Sequence, residues 1–427
     1  MSDKILIVGA GGREHALAWH CAQMPGRTVY VAPGNAGTAR EPGVENVAID
    51  SSDLDGLVAF AERTGIDLTI VGPEQPLVAG IVDRFTAAGL ACFGPSAAAA
   101  ALEGSKVFSK EFMVRHRIPT AQHASFEALE PALAYLETVA LPVVVKASGL
   151  AAGKGVVIAT RREQACQAAA AMLRDAAFGE AGRYIVVEEF LQGEEASFIA
   201  LVDGTDILPL ASSQDHKARD EGDRGPNTGG MGAYSPAPVV TPAVHARIMR
   251  EVMLPTARGL AAEGLRYRGF LYAGVMIDPA GAPRVLEFNC RFGDPEAQVV
   301  LPRLASDLPA LCRAALAGEL AAAEARWRPE PALGVVMAAA GYPAQTRRGD
   351  AIEGLAADLP ETLVFHAGTR LAGDRIVTAG GRVLCVTGLG PTLREARDRA
   401  YARVDRIGWE GAFCRRDIGH RALARED

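Results

Sequence analysis

A short β-branched run at residues 5–8 stops at Gly9-Ala10-Gly11-Gly12 and passes into an alanine- and leucine-rich stretch at 15–23. A strand that turns on glycines into a helix needs a further strand to return to, because each element has an apolar side to bury. Apolar runs at 28–32 and 68–71, the latter ending at Gly72-Pro73, supply such strands. Strands alternating with helices predict a parallel, doubly wound α/β sheet. We end this first domain at residue 103 and take it as 1–103.

The chain has 427 residues, so at about 100–200 residues per domain more units must follow. A helix is predicted over 106–116, strands over 142–146, 156–159 and 184–188, and a helix over 163–174 among them. Strands return at 270–277 and 284–288. From Trp327 the chain reads as a smaller unit, 327–427, with strands at 335–339 and 382–386 and a last helix at 393–406. The stretch 214–236 is dense in glycine, proline and charge and lacks apolar periodicity. A loop that long is expected to be functional or disordered.

The net charge of −7 argues against a nucleic-acid partner, which wants a basic face to release counterions. It leaves room for a small phosphate-bearing ligand, which one local cluster of donors can hold. The seven cysteines show no C-x-x-C spacing, which argues against zinc and fits reduced thiols in a cytosolic protein. The start, MSDKILIVGAGG, breaks into glycines too soon for a signal peptide. No run approaches the roughly 20 apolar residues of a membrane span. A soluble, cytoplasmic protein without a membrane partner is expected.

Five clusters carry chemistry. The first is the turn Gly11-Gly12-Arg13-Glu14, where a helix start presents free N–H groups to a phosphate. Glu14 stands where a G-x-G-x-x-G dinucleotide fingerprint needs glycine. A plain tight turn is the alternative, and an NAD site the weaker one. The second is Lys146 with Gly149, Gly153, Lys154 and Gly155. Three residues separate Gly149 from Gly153, and Gly155 follows the lysine, so this is not a P-loop. Strand-like runs flank it, which suits a hairpin that closes over a triphosphate. Lys146 ends an apolar run, and a lysine there needs an anionic partner.

The third cluster, Glu188-Glu189-Phe190-Leu191 through Glu195, suits an adenosine pocket. The backbone near Leu191 can read the adenine edge, and a glutamate can accept from ribose hydroxyls. The alternative is a solvated acidic face. In the fourth, Glu287, Asn289 and Arg291 fall on one side of a strand. A carboxylate and an amide oxygen are hard ligands of the kind Mg²⁺ prefers, and an arginine beside them can stabilise a transferring phosphoryl group. In the fifth, Asp215 and Lys217 precede the glycine-dense segment Thr228-Gly229-Gly230, and Asp215 or Glu296 can hold a substrate ammonium. A disordered loop is the plainer reading of this one.

In combination, the lysine, the glycine–lysine loop, the acidic segment and the E-x-N strand resemble the ATP-grasp ligases. VAPGNAGT (31–38), IVGPE (70–74), LEGSK (102–106), GLAAGKGV (149–156), EEFLQGEEASF (188–198), SQDHK (213–217), GPNTGGMGAYSPAP (225–238) and EFNCRFGDPE (287–296) resemble the phosphoribosylamine–glycine ligase family in particular. The resemblance runs from residue 4 to about 420. It implies an N-terminal doubly wound domain, an ATP-grasp body over 104–326 with a small lid at 123–193, and a C-terminal α/β domain. It also implies a C–N ligase of purine biosynthesis that uses ATP, Mg²⁺ or Mn²⁺, glycine and 5-phosphoribosylamine, and a monomer is expected.

Carried over by motif, Lys106 and Lys146 are expected at the ATP phosphates, under the loop of Gly153, Lys154 and Gly155. Glu188 is expected among the ATP-binding residues, Glu189, Leu191 and Glu195 at adenine and ribose, and Glu287 and Asn289 at the metal. Arg291 is expected to act with Lys146 in catalysis by stabilising an acyl phosphate. Gly11, Gly12, Arg13, Glu14, Asn35, Asp294, Pro295 and Glu296 are expected to face phosphoribosylamine. Asp215, Lys217, Thr228, Gly229 and Gly230 are expected on the glycine side. The family usually has an acid where Ser148 stands and alanine where Gln75 stands, and many ATP-grasp enzymes have a carboxylate where Gly274 stands. A carboxylase of the same superfamily and a non-catalytic nucleotide sensor are the rival readings.

Overall fold

The computed structural model describes residues 3–151, 155–175 and 177–425. It opens with strands β1 (Asp3–Gly9), β2 (Arg27–Pro33), β3 (Val44–Asn46), β4 (Leu68–Val71) and β5 (Cys92–Phe93), in the all-parallel order β3-β2-β1-β4-β5. The expected doubly wound sheet is present. Ile5, Leu6, Ile7 and Val8 are all fully buried, as a strand covered on both faces requires. Helices follow β1 at Gly12–Ala22 and β3 at Leu54–Thr64. The second of these is capped by Asp53, which accepts from Gly56 N at 2.9 Å.

A four-stranded antiparallel sheet comes next. Its strands β6 (His123–Phe126), β7 (Val143–Ala147), β8 (Val156–Ala159) and β9 (Ile185–Glu189) run in the order β6-β9-β7-β8. Helices Leu129–Leu136 and Arg162–Leu173 cover one face through Ala132, Leu136, Ala165 and Met172. The body below is built on β10 (Glu194–Val202), paired along its length with a later strand and edged by β11 (Ile207–Pro209).

The stretch 214–236, expected as one long loop, is largely ordered. It holds β12 (Gln214–Asp215), a hairpin of β13 (Ala218–Asp220) with β14 (Arg224–Asn227), and β15 (Gly232–Ser235). Then come β16 (Gly269–Ile277) and β17 (Pro283–Asn289), completing the body sheet β11-β10-β16-β17. The last strands are β18 (Ala332–Ala338), β19 (Thr362–His366), β20 (Thr369–Ala372), β21 (Arg375–Thr378) and β22 (Arg382–Leu389). They form a small β20–β21 ribbon and a sheet ordered β12-β15-β18-β22-β19. The C-terminal sheet therefore takes two strands from the central stretch, and this shared sheet holds the cleft's glycine-rich wall in place. Among the described residues, no helix is long and apolar enough to cross a membrane.

Candidate active site

The body sheet, the small antiparallel sheet above it and the N-terminal turn enclose a cleft of about 620 Å³. Its lining gathers Arg13, Lys106, Lys146, Gly155, Glu188, Glu189, Leu191, Glu195, Asp215, Lys217, Thr228, Gly229, Glu287, Asn289, Arg291, Asp294 and Glu296. Segments nearly 300 residues apart in the chain thus meet around one space. Gly153 and Lys154 lie outside the described residues.

One end of the cleft is cationic. Lys106 is the first residue of the helix Lys106–Arg115, whose start is capped by Ser105 accepting from Phe108 N at 3.2 Å. The start is tied to the glycine segment, since Lys106 N donates to Ser148 O at 2.9 Å and Lys106 Nζ to Gly149 O at 3.4 Å. Ser148, standing where the family usually has an acid, accepts from Val107 N at 3.2 Å. Lys146 projects from β7 and places Nζ 3.0 Å from Glu188 Oε2 and 3.4 Å from Leu286 O. Lys110, one helical turn beyond Lys106, reaches the same Glu188 oxygen at 3.1 Å and donates to Thr120 Oγ1 at 2.7 Å.

Glu188 therefore sits between two ammonium groups and fixes both. Burial would raise its carboxyl, but Lys146 and Lys110 hold it below its usual value. Burial also lowers Lys106, and it brings Lys110 down to about 8 despite the nearby acids. Two lysines on one buried carboxylate, with Lys106 beside them on a backbone carbonyl, leave positive charge unmatched at this end, which favours a polyanion in the cleft. Lys110 escaped the sequence reading, although its four-residue spacing from Lys106 was a usable signal.

The opposite wall carries carboxylates. Glu189 accepts from Gln122 N at 2.8 Å and pairs with Arg284. Glu195 pairs closely with Lys217, whose Nζ also lies 3.6 Å from Glu287 Oε1. Burial would raise Glu287, but Lys217, Lys146, Lys106 and Arg291 bring it to about 2. It is a carboxylate at any working pH. Burial works against Lys217 as well, and Glu195, Glu287 and Asp215 outweigh it, holding the ammonium well above its usual value. Asp215 is pushed well up by burial; Lys217 opposes this, while Glu296, Glu195 and Glu287 add to it.

Asn289 Oδ1 accepts from Arg291 Nη2 at 3.1 Å, which still leaves an amide lone pair beside the Glu287 carboxylate. Two hard oxygen donors on one strand face fit a small divalent ion that keeps other positions for water and phosphate. Arg291 itself is clamped, with Nε 3.1 Å from Glu74 and Nη2 3.0 Å from Glu103. Glu103 in turn accepts from Cys290 N at 2.7 Å. Glu74 and Glu103 lie inside two motifs quoted above, yet nothing in the sequence assigned them to Arg291.

The corner after β17 closes the site. Glu296 is buried and accepts from Ser197 Oγ at 2.9 Å and Tyr272 Oη at 2.8 Å. Asp294 is held by Gln298 Nε2 at 2.8 Å and by Arg382, whose Nη2 lies 3.0 Å away. Arg382 also donates to Gly229 O at 2.5 Å and Asp294 O at 2.8 Å. It starts β22, so a C-terminal strand pins the glycine-rich wall. Thr228 Oγ1 donates to Lys217 O at 2.9 Å and accepts from Gly230 N at 3.0 Å. Tyr272 and Arg382 carried no sequence signal, since their partners are remote in the chain.

The N-terminal turn is arranged otherwise. Gly9 has φ +126°, and a Cβ there would stand 2.6 Å from Glu14 Cγ. Glu14 accepts from Gly11 N and from Arg13 Nε, both at 2.5 Å. Asn35 donates to Ala10 O at 2.9 Å and His366 O at 2.8 Å and accepts from Gly37 N and Thr38 N. Of the residues expected at phosphoribosylamine, Arg13, Asp294 and Glu296 line the cleft, while Gly11, Gly12, Glu14, Asn35 and Pro295 are not among its lining residues.

Comparison with known proteins agrees in every region. The phosphoribosylglycinamide synthetase N domain matches residues 3–103, the ATP-grasp (A) domain 104–297 and the C domain 332–421. A phosphoribosylamine–glycine ligase from Allochromatium vinosum is 66% identical over 99% of both chains. One from Vibrio cholerae is 60% identical over 99% of both. The crystal structure of phosphoribosylamine–glycine ligase from Thermotoga maritima has a TM-score of 0.81 at 34% identity, covering 97% of this chain and 100% of that one. A biotin carboxylase domain from Hydrogenobacter thermophilus shares the fold at 17% identity, with a TM-score of 0.74 over 96% of this chain and 91% of its own. With three domain models in sequence and relatives matched end to end, the chain belongs to the phosphoribosylamine–glycine ligase family.

Proposed function

We propose that this protein joins glycine to 5-phosphoribosylamine at the expense of ATP, giving glycinamide ribonucleotide, ADP and phosphate. The observation that carries this is the Glu287, Asn289 and Arg291 face set opposite Lys106 and Lys146 in one cleft. A protein that only binds nucleotide has no use for so much fixed charge at the reacting end. A glycine carboxylate oxygen attacks the γ-phosphorus, the bond to the β-phosphate oxygen breaks and ADP leaves. The amine nitrogen then attacks the carbonyl carbon of glycyl phosphate, expelling phosphate and releasing one proton.

Phosphoryl transfer asks the protein mainly for positioning and charge neutralisation. Lys106 and Lys146, fixed by Gly149 and Glu188, face the phosphates. Glu189, Leu191 and Glu195 frame adenine and ribose. Glu287 and Asn289 would hold Mg²⁺ or Mn²⁺, whose chemistry when bound is to neutralise phosphate charge. Arg291, locked by Glu74 and Glu103, stabilises the acyl phosphate. Asp215 and Glu296 receive the glycine ammonium beside Lys217, Thr228, Gly229 and Gly230. Arg13 and Asp294 face phosphoribosylamine, with Asn35 and Glu14 shaping the turn behind them. Holding both partners can supply about 7–11 kcal/mol of the barrier.

The domain limits we propose are 1–103, 104–326 with a lid at 123–193, and 327–427, in a cytoplasmic monomer. ADP release should need glycine, phosphoribosylamine made in situ and Mg²⁺ together. Equal release with bicarbonate in place of glycine would sink the assignment in favour of a carboxylase.

A further inference from the structure

His216 stands between two cleft residues, Asp215 and Lys217, and its ring faces away from them. Asp215 and Lys217 line the cleft, whereas His216 is buried and is not among its lining residues. Its backbone is fixed on both sides, with His216 N donating to Gly232 O at 2.9 Å and Met231 N to His216 O at 2.8 Å. Its ring is held by the C-terminal segment. Gly419 N donates to His216 Nε2 at 3.0 Å, and Nδ1 faces Asp223 Oδ1 at 3.6 Å. Asp223 is gripped in turn by Arg415 at 3.0 Å and Arg421 at 2.7 Å, with His420 Nε2 at 3.4 Å.

His216, Asp223 and His420 lie close enough to suggest a metal site. The bonds argue otherwise. An Nε2 that accepts from Gly419 N–H leaves the ring proton on Nδ1, the nitrogen facing Asp223. Two guanidinium groups already occupy the Asp223 carboxylate. The cluster is a latch between the C-terminal segment and the stretch from β12 to β13 that carries Asp215 and Lys217.

We propose that His216 is a positioning residue, whose ring, clamped by Gly419 and Asp223, sets how Asp215 and Lys217 meet the amino-acid substrate. This rests on the assignment of that pair to glycine. The experiment is steady-state kinetics on the full chain carrying His216→Leu, His216→Gln or Asp223→Asn, with the melting temperature of each. Misplacing a binding group by about 1 Å can cost about a hundredfold, so His216→Leu should raise KM for glycine at least about tenfold while KM for ATP moves less than about twofold. In His216→Gln the side-chain oxygen can accept from Gly419 N–H, and KM for glycine should return to within about threefold of wild type. Asp223→Asn keeps the ring and loosens its partner, so it should raise KM for glycine by about threefold.

If His216→Leu does not fold, Asp223→Asn decides alone. An unchanged KM for glycine in folded His216→Leu and Asp223→Asn overturns the proposal. So does an equal rise in KM for all substrates that tracks lost melting temperature. Wild-type protein that releases ADP without any dependence on glycine overturns the underlying assignment and this proposal together.

Discussion

The turn after β1 and the lysine end of the cleft hold the same kinds of residue, glycines beside opposite charges, and use them in opposite ways. In the turn the charges answer one another: Glu14 takes Arg13 and Gly11 N, and Asn35 takes two amides and two carbonyls. In the cleft Lys110 and Lys146 share one buried carboxylate, Lys106 donates to a backbone carbonyl beside them, and Glu287 faces them across the opening. A closed set of partners makes a rigid frame. An unmatched set makes a ligand site, because only an incoming polyanion completes it.

That difference can be broken in order of size. Glu287→Ala removes a charge on which turnover depends, and kcat should fall about a hundredfold to a thousandfold with an unchanged far-ultraviolet circular dichroism spectrum. Near-normal kcat would mean the carboxylate is no metal ligand. Lys146→Met removes one charge-assisted contact worth about 1.5–3 kcal/mol and leaves Glu188 with Lys110 alone, so kcat/KM for ATP should drop about ten- to hundredfold.

The turn should answer differently. Asn35→Ala should lower stability to urea by about 1–3 kcal/mol while the kcat of the folded fraction stays within about threefold of wild type. A large kcat loss without destabilisation would place Asn35 in direct contact with substrate.

The smallest effect concerns pH. Burial holds Lys110 at about 8, below the ordinary lysine value. The charged form is thus disfavoured by folding, and its cost is fully present below pH 8 and shrinks as pH rises through the folded and toward the unfolded value. Wild type should gain about 1–2 kcal/mol between pH 7.5 and 9.5 relative to Lys110→Met in urea titrations. Parallel curves for the two proteins would show that Lys110 is not desolvated.

Much of this was legible in the chain itself. The strands Leu68–Val71 and Val156–Ala159 stand where apolar runs between glycines and charges put them. Lys146 and Glu287 were readable because a charge inside an apolar strand is costly and must have a use, and Asn289 and Arg291 because they follow Glu287 at every second position. The stretch 214–236 misled, because its short strand β15 pairs with β18, about a hundred residues downstream, and β12 pairs in turn with β15. The pair β10 and β16 hid β10 in the same way, its first residues reading as an acidic surface run. Arg382 was invisible for a related reason, since its partners Gly229 and Asp294 lie far back in the chain. Local pattern reports what an element buries, and long-range pairing reports what it meets.

The central claim is that this unmatched cleft activates a carboxylate by transferring the γ-phosphoryl group to it. Glycine labelled with ¹⁸O in both carboxylate oxygens, turned over with unlabelled ATP and phosphoribosylamine, tests that directly by mass spectrometry of the released phosphate. One labelled oxygen should appear in each phosphate, carried from the carboxylate through the glycyl phosphate bond. Phosphate free of label, with the expelled carboxylate oxygen found in water or in the nucleotide, would contradict it.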